Sequence, residues 1–223
     1  MISDNFKSTN EYSVYSQIKE LYELISEKQK EWYAKSKFTC PQNCGECCRN
    51  FEPDLLESEA LFMAIWLLEN RREVADSIEQ GNFPFPENNG CPFWDEKNSY
   101  HCTIYEGRAF ICRFFGASAF HSKTGETVFK PCKLYPSNEL EKFSPPVFHK
   151  QYSESEILNQ FGAIPIVMSD IMQRAIQINP ANTKTKLLRE ILPQMISKVK
   201  WIMSMSDEPD PFNTTDAPEK NAS

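Results

Sequence analysis

Four thiols fall within nine residues in CPQNCGECC, from Cys40 to Cys48. The other cysteines of the chain are Cys91, Cys102, Cys112 and Cys132, so all eight lie between Cys40 and Cys132. A hydrophobic core needs no such crowding. A soft metal does: four convergent thiolates complete a tetrahedral zinc site or hold one iron–sulfur cluster. Gly45 permits the tight backbone that converging sulfurs require. Buried free cysteines can act as small apolar residues, but that role does not account for CxxxCxxCC. Structural disulfides need an oxidising compartment. The N-terminal MISDNFKSTNEYS has no apolar core of a secretory signal, which predicts a cytoplasmic setting with reduced thiols.

The vicinal pair Cys47-Cys48 is informative, because adjacent side chains diverge on a strand and on a helix. Either one is a ligand and its neighbour is spare, or the two face different sites. Eight thiols could make two four-sulfur sites, or one site with reactive cysteines beside it. The spacing predicts that CPQNCGECC supplies two or three ligands to a site completed by Cys91, Cys102, Cys112 or Cys132. A metal there would tie the N-terminal half of the chain to the segment that follows.

Other candidate groups surround the thiols. Arg108 and Arg113 flank Cys112, where guanidinium groups could donate hydrogen bonds to thiolates or bridging sulfides; surface ion pairs are the alternative. Tyr105 reads first as a packing aromatic. His101 adjoins Cys102 and should face away from it, and His121 and His149 sit in turn-like surroundings. No Ser–His–Asp ordering, phosphate-binding glycine loop or HExxH helix is present. Cys40-x3-Cys44-x2-Cys47 also has the spacing of a radical S-adenosylmethionine motif, but that fold places it just after a first strand, and here a helix precedes it.

The elements that must position these groups read as follows. Ser8-x-x-Glu11 can form a capping box after a mobile lead-in, opening a helix to about Lys35 with Val14, Ile18, Leu21, Ile25 and Trp32 on one face. A second helix starts between Pro53 and Ser58 and runs to Asn70, apolar on most sides and therefore central. A shorter one spans Arg71 to Gln80 with Gly81 at its end. Residues 82–90 are irregular. Cys91–Trp94 and His101–Tyr105 read as two short strands, 106–113 as a helical turn, and 118–121 with 127–130 as a hairpin around Lys123-Thr124-Gly125. Residues 133–152 read as a loop. Ser153-x-x-Glu156 caps a further helix that Pro165 should break. A last helix spans about Thr183 to Met205, with Leu187, Leu188, Ile191, Leu192, Met195, Ile196, Val199 and Met203 in its stripe and a kink at Pro193. The expected organisation is an N-terminal helix (1–37), a cysteine-cluster region (38–135) and C-terminal helices packed on it (136–205), one domain overall. A disordered tail (206–223) follows.

The 223 residues are 40% hydrophobic, enough for a sizeable core, and carry a formal net charge of −7. That charge argues against a nucleic-acid surface. The longest apolar run, Leu61 to Leu68, is too short to span a bilayer. The fold class expected is α+β, mainly helical, with an irregular cysteine-rich segment and small β-hairpins packed against helices.

CPQNCGECC, then CPFW, then CTIYEGRAFICRFF resembles the YkgJ-like cysteine-cluster proteins, the CxxCxxCC family of zinc- or iron-chelating domains. The resemblance covers about Phe38 to Cys132. It implies Cys40, Cys44, Cys47, Cys48, Cys91, Cys102, Cys112 and Cys132 as the metal cluster, with Tyr105, Arg108 and Arg113 on the family's motif positions around it. The first spacing is three rather than two, Ala109 stands where the family usually has Pro, and Trp94 replaces the commoner Leu. The resemblance implies a metal or iron–sulfur protein, of a kind labelled an oxidoreductase without a defined substrate; a related cluster in flagellin lysine-N-methylase adds methyl transfer as a minor option. Together these readings predict a [4Fe–4S] cluster with an electron-transfer or redox-accessory role, or, as the alternative, a Zn or Fe ion in a structural, interaction or metal-delivery protein without catalysis. The expected partner is a redox or other protein, with neither nucleic acid nor membrane insertion.

Overall fold

A computed structural model describes residues 3–40 and 44–207. The chain opens on a helical turn, α1 (Asp4–Lys7), capped by Ser3. The lead-in is thus partly ordered, because Phe6 is fully buried and anchors it. The long helix α2 (Asn10–Ser36) is capped by Thr9, whose hydroxyl accepts from Tyr12 N at 3.2 Å. The cap is one residue later than the Ser8-x-x-Glu11 pattern predicts. Val14, Ile18, Leu21, Ile25 and Trp32 are all buried along one stripe.

After a one-turn helix, α3 (Glu46–Arg49), comes a two-residue strand, β1 (Asp54–Leu55). It leads into the central helix α4 (Glu57–Asn70), buried on nearly all sides. Helix α5 (Arg72–Glu79) folds back beside it, and Gly81 takes the left-handed φ of +85° that ends a helix without Cβ strain.

The expected strands around Cys91–Trp94 and His101–Tyr105 reduce to one antiparallel bridge, Trp94↔Cys102. The ladder fails because His101 sits at φ 51° and the chain past Cys102 tightens at once into a 3-10 turn, Tyr105–Gly107. Helix α6 (Phe110–Phe114) follows, with Ala109 as its N-cap at φ −65°. That is the value a proline ring imposes, so the turn keeps a proline-compatible shape without the ring.

The predicted hairpin forms as β2 (Phe120–His121) and β3 (Thr127–Phe129), in register Phe120↔Val128. The 133–152 loop contains one helical turn, α7 (Ser137–Leu140), and ends in β4 (Tyr152–Ser153), which pairs with β3 as Val128↔Ser153. Ser153 and Glu156 make the predicted capping box on α8 (Glu154–Phe161). Gly162 closes that helix at φ 73°, ahead of Pro165, and α9 (Met168–Ile178) resumes.

The last helix begins later than expected. Lys186–Leu187 form β5, antiparallel to β1 with Asp54↔Leu187, and α10 runs Leu188–Asp207. Leu187 is consequently exposed rather than part of the stripe, while Leu188, Ile191, Leu192, Met195, Ile196 and Val199 are buried. Residues 206–207 are helical; the rest of the predicted tail, 208–223, lies outside the described residues. The architecture is α+β and mainly helical. Among the described residues, no helix is long and apolar enough to cross a membrane.

Two hydrophobic cores result. The larger joins α1, α2, α4, α5, α9 and α10 and includes Cys91. The smaller gathers Trp32, Phe38, Phe129, Leu140, Val147, Tyr152, Ile157 and Phe161 around the β2–β3–β4 sheet. Phe38 is 1% exposed and ringed by Phe129, Tyr135, Phe143 and Phe161 at 5.1 to 5.8 Å. Burying such a ring contributes about 2–3 kcal/mol and pins the chain two residues before Cys40.

Candidate metal centre

The cysteine segment passes from the smaller core to the larger. Cys40 follows the Phe38 anchor, and Cys132 follows Phe129 of the same core. The two meet at Gly116: a Cβ built there would lie 3.4 Å from Cys132 Cβ and 3.7 Å from Cys40 Sγ. Cys48, Cys91, Cys102 and Cys112 all pack against the larger core. Cys91 is tied by its N–H, which donates to Cys48 O at 3.3 Å. Cys102 is held by the bridge to Trp94, and Cys112 rides on α6.

Two glycines allow the chain to fold this closely. At Gly45 a Cβ would stand 2.4 Å from the His101 Cβ, and at Gly90 it would stand 2.6 Å from Arg49 O. Neither position can carry a side chain without moving its neighbour. The loop before Cys91 is clamped from α10. Arg189 pairs with the half-buried Glu52 and donates to Gly90 O at 2.9 Å and Asn88 O at 2.7 Å. Arg189→Met removes that clamp, with an expected loss of about 2–3 kcal/mol in urea unfolding; a loss under about 0.5 kcal/mol would show that the loop is held by other means.

All eight thiols line one cavity of about 490 Å³, together with Tyr33, Met63, Phe93, Tyr105, Arg108 and Leu188 among others. The vicinal pair behaves differently from expectation. On the single turn of α3 the Cys47 and Cys48 Sγ atoms stand 3.8 Å apart instead of diverging, because the turn curls both toward the cavity. Among the described residues, no three or more His, Cys, Asp or Glu side chains are close enough together to hold a metal ion as they stand.

The electrostatics of the cavity oppose thiolates until something cationic arrives. Burial pushes Cys40 up to about 11 and Cys91 up to about 12, and it raises Cys102 and Cys112 as well. Cys47 is raised first by its hydrogen bond with Cys48 and then by burial. Arg108 pulls the other way at Cys40, Cys47, Cys102 and Cys112. Its guanidinium lies 3.5 Å from the centre of the Tyr105 ring. The buried Arg108 Nε makes no hydrogen bond among the described residues. A buried N–H without an acceptor is costly, and a thiolate or sulfide in the cavity would supply one. The donor set therefore fits a soft metal: eight thiols and one cationic donor around a shared space.

Arg113 sits differently. It is 7% exposed, donates through Nε to Arg108 O at 3.1 Å and through Nη2 to Glu106 O, and lies 3.9 Å from the centre of the Tyr22 ring. Gln29 of α2 donates to Arg113 O. Arg113 thus fastens the turn that presents Arg108. Neither arginine forms an ion pair with a carboxylate among the described residues. The ring of His101 stacks on Trp94 at 5.9 Å and its Nδ1 is 3.2 Å from Asp95 O. His121 pairs with Asp170, and His149 Nε2 is 2.9 Å from Tyr135 O.

Glu59 does not line the cavity but supports it from α4 through a long-range contact. It is 2% exposed. It accepts from Leu56 N at 3.0 Å and from Phe110 N at 2.8 Å, joining the start of α4 to the start of the helix that carries Cys112. Glu three residues into a helix is a known partner for the cap N–H; the second bond, from residue 110, has no local signal.

Residues 39–145 match the model of the CxxCxxCC family, described as a "putative zinc- or iron-chelating domain". No curated protein and no solved structure matches the chain. The matched stretch runs from the residue before Cys40 to beyond Cys132 and takes in Tyr105, Arg108 and Arg113. The segment that carries every cysteine of this chain is thus similar to the CxxCxxCC domains over residues 39–145.

Proposed function

We propose that the cavity holds an iron–sulfur centre of the [4Fe–4S] type and that the protein acts in electron transfer or as a redox accessory. The thiolates are drawn from Cys40, Cys44, Cys47, Cys48, Cys91, Cys102, Cys112 and Cys132. When bound, such a centre supplies reversible one-electron chemistry. The observation that carries the reading is the lining of one 490 Å³ cavity by eight thiols and Arg108. A cluster brings its own sulfides and takes thiolates at separate corners. Arg108, whose buried Nε–H has no acceptor among the described residues, would offer a hydrogen bond to sulfur there, an interaction that raises a reduction potential. Tyr105 supports the guanidinium, and Arg113 holds the turn beneath it.

A second reading, zinc in a structural, interaction or delivery protein, is favoured by the Cys47–Cys48 separation of 3.8 Å. That is the edge of a tetrahedron with Zn–S bonds of about 2.3 Å. Anaerobic purification separates the two. Brown protein containing iron and acid-labile sulfide, with broad absorbance near about 400 nm that dithionite bleaches, is the expected result. Colourless protein with stoichiometric zinc and no sulfide would sink the iron–sulfur reading. Zinc lost to a weak chelator with the fold intact would point to delivery.

A further inference from the structure

A second hollow opens on the seam between the two hydrophobic cores. It measures about 590 Å³ and shares no lining residue with the thiol cavity. One wall is a single face of α2, with Leu24, Lys28, Glu31, Trp32 and Lys35 at helical spacing. The facing wall is the end of α8, the bend after it and the start of α9. Leu24 and Ile166 pack against the larger core, Trp32 and Ile164 against the smaller. The cores meet here without closing. Leu24, Ile164, Ile166 and Val167 are only partly buried, and Leu158 is 47% exposed. A Cβ built on Gly162, at the bend, would meet nothing within 4 Å.

The charges around this apolar floor do not balance. Glu31 is taken by Lys28 at 3.0 Å and Asp170 by His121 at 2.8 Å. Lys35 and Arg174 also line the hollow, and neither forms an ion pair among the described residues. Leu24 to Lys35 spans about 16 Å of helix, and the volume falls within the about 300–1,000 Å³ of small-molecule sites. An apolar trough with an unpaired cation at one end fits a ligand that is apolar along its length and anionic at its head. We infer that the groove binds a medium-chain carboxylate, with its alkyl tail along Leu24, Leu158, Ile164 and Ile166 and its head group at Lys35. The Arg174 end suits an anion less well. Asp170 stands one helical turn from Arg174, and Glu20 borders the shallower hollow beside it. The site asks nothing of the thiols, so it does not depend on the metal-binding reading.

Calorimetric titration of the reduced full chain with sodium dodecanoate, below its micellar concentration, tests this. About one equivalent should bind. Octanoate should bind at least about tenfold more weakly, since each buried methylene is worth about fourfold in affinity. Dodecyltrimethylammonium, with the same tail and a cationic head, should also lose at least about tenfold. Lys35→Glu and Leu158→Glu should each cost dodecanoate at least about tenfold. Both positions are exposed, so the fold should survive, which far-ultraviolet circular dichroism checks. No binding of dodecanoate overturns the assignment. Binding that ignores the head-group charge or either substitution does so too, because it would be non-specific contact with apolar surface. Sedimentation equilibrium that shows a dimer dissociated by Leu158→Glu would give the groove to a second copy of the chain and overturn the carboxylate.

Discussion

Zinc or cobalt uptake by the metal-free protein is expected to release protons and to strengthen steeply with pH. Burial holds Cys40 near about 11 and Cys91 near about 12, and shifts Cys102 and Cys112 upward too, so these thiols carry their protons at neutral pH. A metal binds thiolate, not thiol. Each ligand must therefore lose a proton as the metal enters, and apparent affinity should rise about tenfold per pH unit for every proton displaced. Competition against a chromophoric chelator between about pH 6 and 8 reads the slope, and a weakly buffered titration with a pH indicator counts the protons. A slope near zero would mean that the bound groups were already ionised or are not these thiols.

The same shifts set the alkaline behaviour of the metal-free chain. An acid whose folded pKa lies above its unfolded value contributes stability that is intact below the unfolded value. That stability is lost as pH climbs toward the folded one. For Cys40 and Cys91 the window opens at the ordinary thiol value of 9.0 and closes near about 11 and about 12. Metal-free protein should thus lose stability through that range, and metal-loaded protein, whose thiolates are already formed and neutralised, should not.

The second large effect falls on Glu59→Ala. Glu59 is the acceptor for two buried N–H groups, Leu56 N at 3.0 Å and Phe110 N at 2.8 Å. Deleting the carboxylate strands both donors away from water, at about 1–3 kcal/mol each, so a loss of about 2–5 kcal/mol is expected. That is a large share of the about 5–15 kcal/mol that keeps a domain folded. Because Phe110 opens the helix carrying Cys112, the variant should also bind metal more weakly. Glu59→Gln retains one acceptor oxygen but turns an amide N–H toward the other donor, so its loss should be intermediate. Urea unfolding of the three proteins provides the comparison; a Glu59→Ala midpoint equal to that of the wild type would dismiss the clamp. Burial raises Glu59 to about 7 from 4.5, against the two N–H bonds and Arg113. The folded state therefore holds the proton where the unfolded state has lost it. This contribution is intact below about pH 4.5 and fades as pH rises toward 7, a trend that Glu59→Gln should lack.

What could be read along the chain was local. The stripes of α2 and α10, the all-round apolar α4, the Ser153–Glu156 capping box and the 120–129 hairpin repeat with periods of 3.6 or 2 residues. Those periods are written in neighbouring side chains. The cysteine segment was legible for a different reason: no other structural need brings eight thiols together, and their types alone point to a soft metal. Tertiary structure decided what depends on residues far apart in sequence. β1 pairs with β5 across more than half the chain, which moves the start of α10 and exposes Leu187. Glu59 is buried only because α6 packs on α4, and Arg113 turns to backbone carbonyls only because the 105–108 turn folds under it. The vicinal pair shows the boundary most clearly. Adjacent positions on an ideal helix or strand diverge, but a single turn held between two cores lets both sulfurs face one cavity. Residue types established that the chain carries a dense thiol segment, and the tertiary structure brought all eight thiols around one cavity.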